Sequence, residues 1–300
     1  MPKPKFSGAS PALRSAALLW CVGLGLLTPQ WVRAESVRIG GAGSAMGSIR
    51  ALADTFQKSN PDFQFDLLPN SGSSGGFKAV KDGVLQIGLI TRLPFAEEKA
   101  NELQVVEYGR TPFIFIANKP DVKGLKYSDI IDIYAGRLSK WPDGRLVRLV
   151  LRPIKDTDTL ILAKSSPEMK MALDVAHQRK GLSLAITADE AIELVARVPG
   201  SLSSSTLAVV ARVPGSHVNI MAIDGVEPTL GNLKNGSYPY YKPLYLVYDS
   251  AKSSPLIHRF VDFVRSPQAQ GLLGKWGSVP VSLTSSGGGA AKTTLAQGQR

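Results

Sequence analysis

The 300-residue sequence is poor in the residues that carry covalent or metal chemistry. It has one cysteine, Cys21, and three histidines that stand far apart, His177, His217 and His258. One cysteine cannot form a disulfide within the chain, and the histidines have no partners at metal-ligand spacing. With no nucleophile–base pattern either, no cofactor is expected, and an enzyme such as a phosphatase is the least favoured class.

Long apolar runs are also scarce. The main run, Ala16–Leu27, is about a dozen residues, shorter than the ~20 of a membrane-spanning helix. Lys3, Lys5 and Arg14 precede it, and Val32-Arg33-Ala34 follows. This order predicts a secretory signal peptide over residues 1–34, cleaved after Ala34, and a periplasmic or secreted protein; a membrane anchor is the alternative. Cys21 would leave with the leader.

Acidic residues are fewer than basic ones, and the net charge is +11. The leader holds four basic residues and no acid, so its removal lowers the charge to +7. The basic residues are scattered and lack a basic–aromatic stripe, which argues against a nucleic-acid partner. A diffuse positive field helps to gather small anions, although a generic basic surface explains the charge equally well.

Apolar spacing predicts alternating strands and helices. The expected strands are 36–39, 63–68, 85–90, 111–117, 146–151, 206–212 and 242–248, and the expected helices are 46–57, 77–82, 127–134, 167–177, 189–196 and 255–264. The strand–helix–strand order over the first hundred residues predicts an α/β fold with a parallel sheet. Residues 285–300 are small and polar, which predicts a flexible tail.

Three segments are candidates for anion binding. Gly41–Ser44 and Ser71–Gly76 each follow a predicted strand and open a predicted helix, where unpaired N–H groups and the helix dipole favour negative charge. Arg152–Thr159 follows the strand 146–151 and offers a guanidinium and hydroxyl groups. Taken alone, helix caps are common, and a polar surface loop is the simpler interpretation of the third segment. None has the phosphate-loop pattern of nucleotide hydrolases.

The sequence resembles the phosphate-binding proteins of ABC transporters, in the type II periplasmic binding family, over most of Val37–Val281. The resemblance is carried by Gly41–Met46, Gly72–Lys78 with Ile87–Arg92, Leu125–Pro142, Pro239–Val247 and the Arg265-Ser266-Pro267 junction. It implies two α/β lobes, each with a mixed, mostly parallel sheet flanked by helices, joined by two crossing strands. We expect a first lobe of residues 35–108 with 245–284 and a second lobe of residues 109–244.

The resemblance also implies a function. A monomer would close its two lobes around a small oxyanion, with phosphate the leading candidate, and deliver it to the membrane permease of an ABC transporter. Closure fits a ligand that receives donors from both lobes. A ligand-sensing, signalling or adhesion protein on the same fold is the alternative.

Carried over by position, the family's anion ligands fall on nine residues. They are Ser44, Ala45 and Met46 through backbone N–H groups, Ser73 and Ser74 in the second turn, then Arg152, Thr157, Asp158 and Thr159. Phosphate binders have a carboxylate after the third strand, which accepts the proton of monohydrogen phosphate, and here Thr91 stands there as a tenth predicted ligand residue, followed by Arg92. We therefore hypothesise that Asp158 or Asp156 supplies the acceptor, which would reject sulfate.

Overall fold

The computed structural model describes residues 35–99, 102–213 and 215–281. The predicted leader, residues 1–34, and the predicted tail, residues 285–300, lie outside the described residues. Within the described residues no helix has the length and apolar character needed to cross a bilayer.

The described strands range in length from 2 to 14 residues. They are β1 Glu35–Gly41, β2 Phe63–Leu67, β3 Ile87–Ile90, β4 Gln104–Ala117, β5 Gly124–Leu125, β6 Arg148–Leu151, β7 Ser183–Leu184, β8 Ser201–Thr206, β9 Asn219–Ile220, β10 Ala222–Ile223, β11 Tyr241–Tyr248 and β12 Val279–Pro280.

The helices alternate with these strands over most of the described chain. They are α1 Gly43–Ser59, α2 Gly72–Lys81, α3 Ala96–Lys99, α4 Tyr127–Ala135, α5 Thr157–Ser165, α6 Pro167–Gln178, α7 Ala188–Arg197, α8 Leu207–Arg212, α9 Leu230–Lys234, α10 Pro255–Arg265 and α11 Pro267–Leu272, followed by a 3₁₀ turn at Leu273–Trp276.

One mixed sheet extends through the molecule in the order β2-β1-β3-β11-β4-β8-β6-β7, with β9 and β12 also paired to β4. At the β1 end, β1 is parallel to β2 and β3. At the β6 end, β6 is parallel to β7 and β8. Between them, β11 pairs antiparallel with β3 and β4, and β4 continues antiparallel to β8. The strands β4 and β11 therefore connect the two ends.

Each end of the sheet has its own apolar core. At the β1 end, α1 and α10 pack on the sheet, and Phe56, Phe63 and Phe260 form a cluster of aromatic rings. At the β6 end, buried residues such as Trp141 and Met169 form a second cluster. Separate cores on either side of β4 and β11 follow from the amphipathic helices, because each helix buries its apolar face on its own part of the sheet.

The predicted strand over residues 206–212 is wrong. The strand ends at Thr206, and Leu207–Arg212 is the helix α8. The Thr206 hydroxyl accepts a hydrogen bond from the Val209 N–H and so caps the helix, which the apolar pattern does not reveal. The actual strand, Ser-Leu-Ser-Ser-Ser-Thr, is fully buried although serine is a poor strand former, because all of its hydroxyls except that of Ser205 find partners inside the protein.

Residues predicted as turns belong largely to helices. α1 begins at Gly43 and α2 at Gly72, so each predicted turn supplies the first residues of a helix. Gly41 makes the first of these junctions possible: its φ is +132°, and a Cβ there would lie 2.2 Å from the Leu89 carbonyl oxygen. A Cβ at Gly76 would lie 2.8 Å from the Gly41 Cα, so α2 packs directly on the same glycine.

Replacing Gly41 by alanine should therefore destabilise the protein strongly. We expect a loss of about 3 kcal/mol or more, because the change combines an unfavourable φ with a backbone clash. Urea unfolding in phosphate-free buffer measures this loss. Gly83→Ala is the matched control, since Gly83 also has positive φ (+73°) but a Cβ at this position would meet nothing within 4 Å. Equal losses for the two variants would contradict the close packing at Gly41.

Candidate functional site

A small cavity of about 30 Å³ lies where the two ends of the sheet meet. Its lining is mostly polar: Ala42, Gly43, Ser44, Asn70, Gly72, Ser73 and Thr91 from the β1 end, Arg152, Asp156, Thr157 and Ala188 from the β6 end, and Lys242 from β11. A water molecule needs about 10–15 Å³ of such space. The cavity therefore suits a small ion and is too small for a sugar or a peptide.

The first residues of four helices line this cavity. Gly43 begins α1, Gly72 begins α2, Thr157 begins α5 and Ala188 begins α7. In the described structure the N-cap residues of α1 and α2, Ala42 and Ser71, make no side-chain cap hydrogen bond. The first N–H groups of a helix have no partner within the helix, and the dipole adds partial positive charge. The helix termini thus offer an environment that favours an anion.

Hydroxyl groups connect the two ends of the sheet beside the cavity. The Ser73 Oγ accepts a hydrogen bond from the Thr91 N–H at 3.0 Å and lies 3.1 Å from the Thr157 Oγ1. The Thr206 Oγ1 donates to the Ser44 Oγ at 3.2 Å. Ser44 and Ser73 belong to α1 and α2, whereas Thr157 and Thr206 belong to the β6 end. Direct hydrogen bonds therefore hold the two ends together around the cavity.

Arg152 is the main cation from the β6 end. Its side chain is 5% exposed, donates to the Ala185 carbonyl at 2.8 Å and pairs with the Asp156 carboxylate at 2.9 Å. Its buried Nε has no hydrogen-bond partner in the described structure. A guanidinium held by two of its nitrogens presents a fixed fork that suits a tetrahedral oxyanion.

A second buried ion pair joins Lys242 to Asp158. The Lys242 ammonium contacts one carboxylate oxygen, and the Ser204 hydroxyl donates to the other at 3.0 Å. Burial alone would raise the pKa of the Asp158 carboxyl, but the charges of Lys242 and Arg152 and the hydrogen bonds from Lys242 and Ser204 outweigh it and lower that pKa. Asp158 is therefore a charged carboxylate held between Lys242 and Ser204.

The structure brings together five of the predicted ligand residues at the cavity. These are Ser44, Ser73, Thr91, Arg152 and Thr157. Asp156, the second of the two hypothesised proton acceptors, also lines it.

The other predicted ligand residues lie away from the cavity lining. Ala45 is fully buried and donates its N–H to the Ala42 carbonyl, and Met46 packs on the core of the β1 end. The Ser74 hydroxyl accepts a hydrogen bond from Arg92, which is itself paired with Glu98. The Thr159 hydroxyl donates to the Arg152 carbonyl.

Asp158 also differs from the expectation that it faces the ligand. It is 2% exposed, does not line the cavity, and is held by Lys242 and Ser204. Asp156, the N-cap of α5, lines the cavity, whereas Asp158 lies two residues later within the first turn of the helix.

Lys242 and Asn70 line the cavity although the sequence pattern did not single them out. The sequence signal for Lys242 is that it is the one charged residue in the apolar and aromatic strand Tyr-Lys-Pro-Leu-Tyr-Leu-Val-Tyr. A lysine is rarely buried in such a strand unless it is paired with a carboxylate. Asn70 precedes α2, and its side chain accepts a hydrogen bond from the Gly72 N–H.

Comparisons with known proteins agree with this geometry. A family model described as a PBP superfamily domain matches residues 29–268. The phosphate-binding protein PstS of Bacillus subtilis (strain 168) is 25% identical over 262 residues, covering 82% of this chain and 81% of that protein.

Two solved structures share the fold. One is described as a phosphate ABC transporter substrate-binding protein with bound phosphate from Clostridium perfringens; its TM-score is 0.72 at 24% identity, covering 82% of this chain and 100% of the other. The second, an ABC-type phosphate transport receptor from Vibrio cholerae, has a TM-score of 0.62 at 17% identity, covering 81% and 99%. The predicted two-lobe α/β fold is confirmed.

Removing the Lys242 ammonium should lower the unfolding free energy, because the Asp158 carboxylate loses its closest counter-charge. We expect Lys242→Met to lose about 3 kcal/mol of unfolding free energy at neutral pH, because the Asp158 carboxylate stays buried without its closest cation and keeps only the Ser204 hydroxyl and the Arg152 Nε at 4.0 Å. Urea unfolding measures this loss. Lys170→Met, which breaks the exposed Lys170–Asp174 pair, should change little, and Lys242→Met/Asp158→Asn should recover much of it. Equal stability of Lys242→Met and Lys170→Met would contradict the account.

The Lys242–Asp158 pair predicts that falling pH affects the stability of the unaltered protein and of Lys242→Met in opposite directions. In the unaltered protein the pKa of Asp158 is lowered by folding, so its stabilisation is present above the unfolded value of about 4 and is lost as pH falls through the folded pKa. In Lys242→Met, burial should instead raise that pKa above the unfolded value. The deficit of the variant should therefore shrink as pH falls from about 7 to about 5, which urea unfolding at each pH measures.

Proposed function

Since this chain belongs to the PBP superfamily, we propose that it is an extracytoplasmic solute-binding protein that captures a small oxyanion and delivers it to an ABC transporter. Phosphate is the leading ligand. The phosphate-binding names of the relatives support this assignment. We also propose that the leader directs export and is cleaved after Ala34, and that the protein acts by binding and not as an enzyme.

The convergence of four helix N-termini on one small cavity is the observation that carries this proposal. N–H groups, hydroxyls and the Arg152 guanidinium are all donors, which matches the many acceptor oxygens of a tetrahedral oxyanion. Asp156 is the exception, because a carboxylate can only accept. It suits an anion that still carries a proton.

Binding would act by closing the two lobes. The contacts Ser73–Thr157 and Ser44–Thr206 form between the β1 and β6 ends, and donors from both ends would meet the anion only in the closed form. We propose β4 and β11 as the hinge, with lobes of residues 35–108 plus 245–284 and 109–244. In support, Leu244 pairs with Gly109, and the register shifts between Leu244 and Tyr245.

A ligand sensor on the same fold is the second candidate. It would use the same cavity and closure but report to a signalling partner. Co-purification with a membrane permease, tested with and without phosphate, separates the two candidates: a phosphate-dependent permease complex supports transport, and a sensor would form none.

Arg152→Gln should weaken phosphate binding by about 100-fold or more, because it removes the charged fork at the cavity. Titration calorimetry on the dialysed protein, preceded by a thermal-shift panel of phosphate, sulfate, molybdate, phosphonates and small carboxylates, measures this. Arg148→Gln is the matched control, since Arg148 begins the strand β6 that Arg152 directly follows but is exposed. No thermal shift with any anion, or an equal effect of both variants, would overturn the oxyanion assignment.

Asp156→Asn should reduce the preference for phosphate over sulfate. Asparagine can still cap α5, so the helix start should survive, but the side chain no longer requires a proton on the ligand. Phosphate affinity should fall and sulfate affinity should rise in parallel calorimetric titrations. Asp174→Asn, at an exposed position of α6, controls for the change of net charge. An unchanged ratio of the two dissociation constants would assign the acceptor role elsewhere.

A further inference from the structure

Lys242 stands out as a buried cation at the second position of β11. Its side chain is 6% exposed, it pairs in the sheet with Thr111, and the residues that follow it are buried and mostly apolar. Lysine is almost never fully buried unless it is paired, and burying its charge costs free energy. Its presence in this strand therefore calls for a physical reason.

The Asp158 carboxylate is the one partner that the described residues give to the Lys242 ammonium. An ammonium group has three protons to donate, so two remain available. Lys242 also lines the cavity, whereas Asp158 does not. The lysine thus lies between a carboxylate on one side and the cavity on the other.

Stability alone is a weak explanation for such a pair. Replacing a buried ion pair with apolar residues of similar volume is often neutral or stabilising, because the cost of desolvation offsets the attraction. The neighbouring charges are arranged in the same way: Arg152 is paired with Asp156, so each of the two cations that line the cavity already has a carboxylate partner. The cations are partly neutralised before any anion arrives.

We propose that Lys242 is a further ligand for the oxyanion and that Asp158, buried behind it, limits the affinity by competing for its charge. This inference rests on the proposed function. The anion would receive one or both free protons of the ammonium, and the carboxylate would reduce the attraction that the lysine exerts. An anion held in this way can be captured and still released to a partner, since release is faster when affinity is limited.

Asp158→Asn tests the limiting role. Without the carboxylate, phosphate becomes the only anionic partner of Lys242, so we expect phosphate and sulfate each to bind about tenfold more tightly in calorimetry. The variant should also be less stable without ligand and gain more melting temperature from phosphate than the unaltered protein does. Asp174→Asn, with the same charge change at the exposed Lys170–Asp174 pair, should leave both quantities unchanged.

Lys242→Met/Asp158→Asn tests the ligand role. The double variant removes both charges, so the fold should persist, but phosphate and sulfate should bind at least about tenfold more weakly because donors are lost. Unchanged affinity in this variant would show that the pair is only structural and would overturn the proposal. So would unchanged or weaker binding in Asp158→Asn, or failure of Asp158→Asn to fold at any phosphate concentration.

Calorimetry on the unaltered protein and on the two variants separates the proposed function from the role of Lys242 and Asp158. If the unaltered protein binds no oxyanion, the proposed function is wrong. If it binds phosphate and the two variants leave the dissociation constant unchanged, the assignment of Lys242 and Asp158 alone is wrong.

Discussion

The pairing of β4 with β11 is the constraint on which the architecture depends. Gln104–Pro112 of β4 lies antiparallel to the whole of β11, and the rest of β4 continues into the sheet of the other end. Every other strand of the large sheet is attached to one of these two, either directly or through one or two intervening strands. Because the backbone hydrogen bonds of a ladder are short and directional, this pairing fixes where the two apolar cores stand relative to each other.

A polar interior follows from that arrangement. Where the two ends meet, the protein buries serines of β8, threonines and two ion pairs instead of apolar side chains. Polar groups removed from water are costly unless they are paired, and here they pair mainly with one another: Ser203 with the Val150 carbonyl, Ser204 with Asp158. Such a network is rigid in its geometry, which is what an anion site needs.

Much of the fold and part of the site could be predicted because the signals are local. Apolar spacing indicates the position of most helices, and small residues after a strand indicate the start of α1 and α2. The failures involve contacts that apolar spacing does not encode. Val209 and Val210 resemble a strand because the capping by Thr206 is not visible in that pattern. Lys242 could not be connected to Asp158 because only the sheet brings residues 84 positions apart together.

The position of β11 in the sheet also has a consequence for the order in which the protein can assemble. β3 ends at Ile90, yet its neighbour on one side, β11, begins at Tyr241. During synthesis the edge of β3 has no partner until that late segment has emerged. Contacts between residues so distant in sequence form slowly. The β3 end of such a sheet stays incompletely paired until nearly all of the chain has been made.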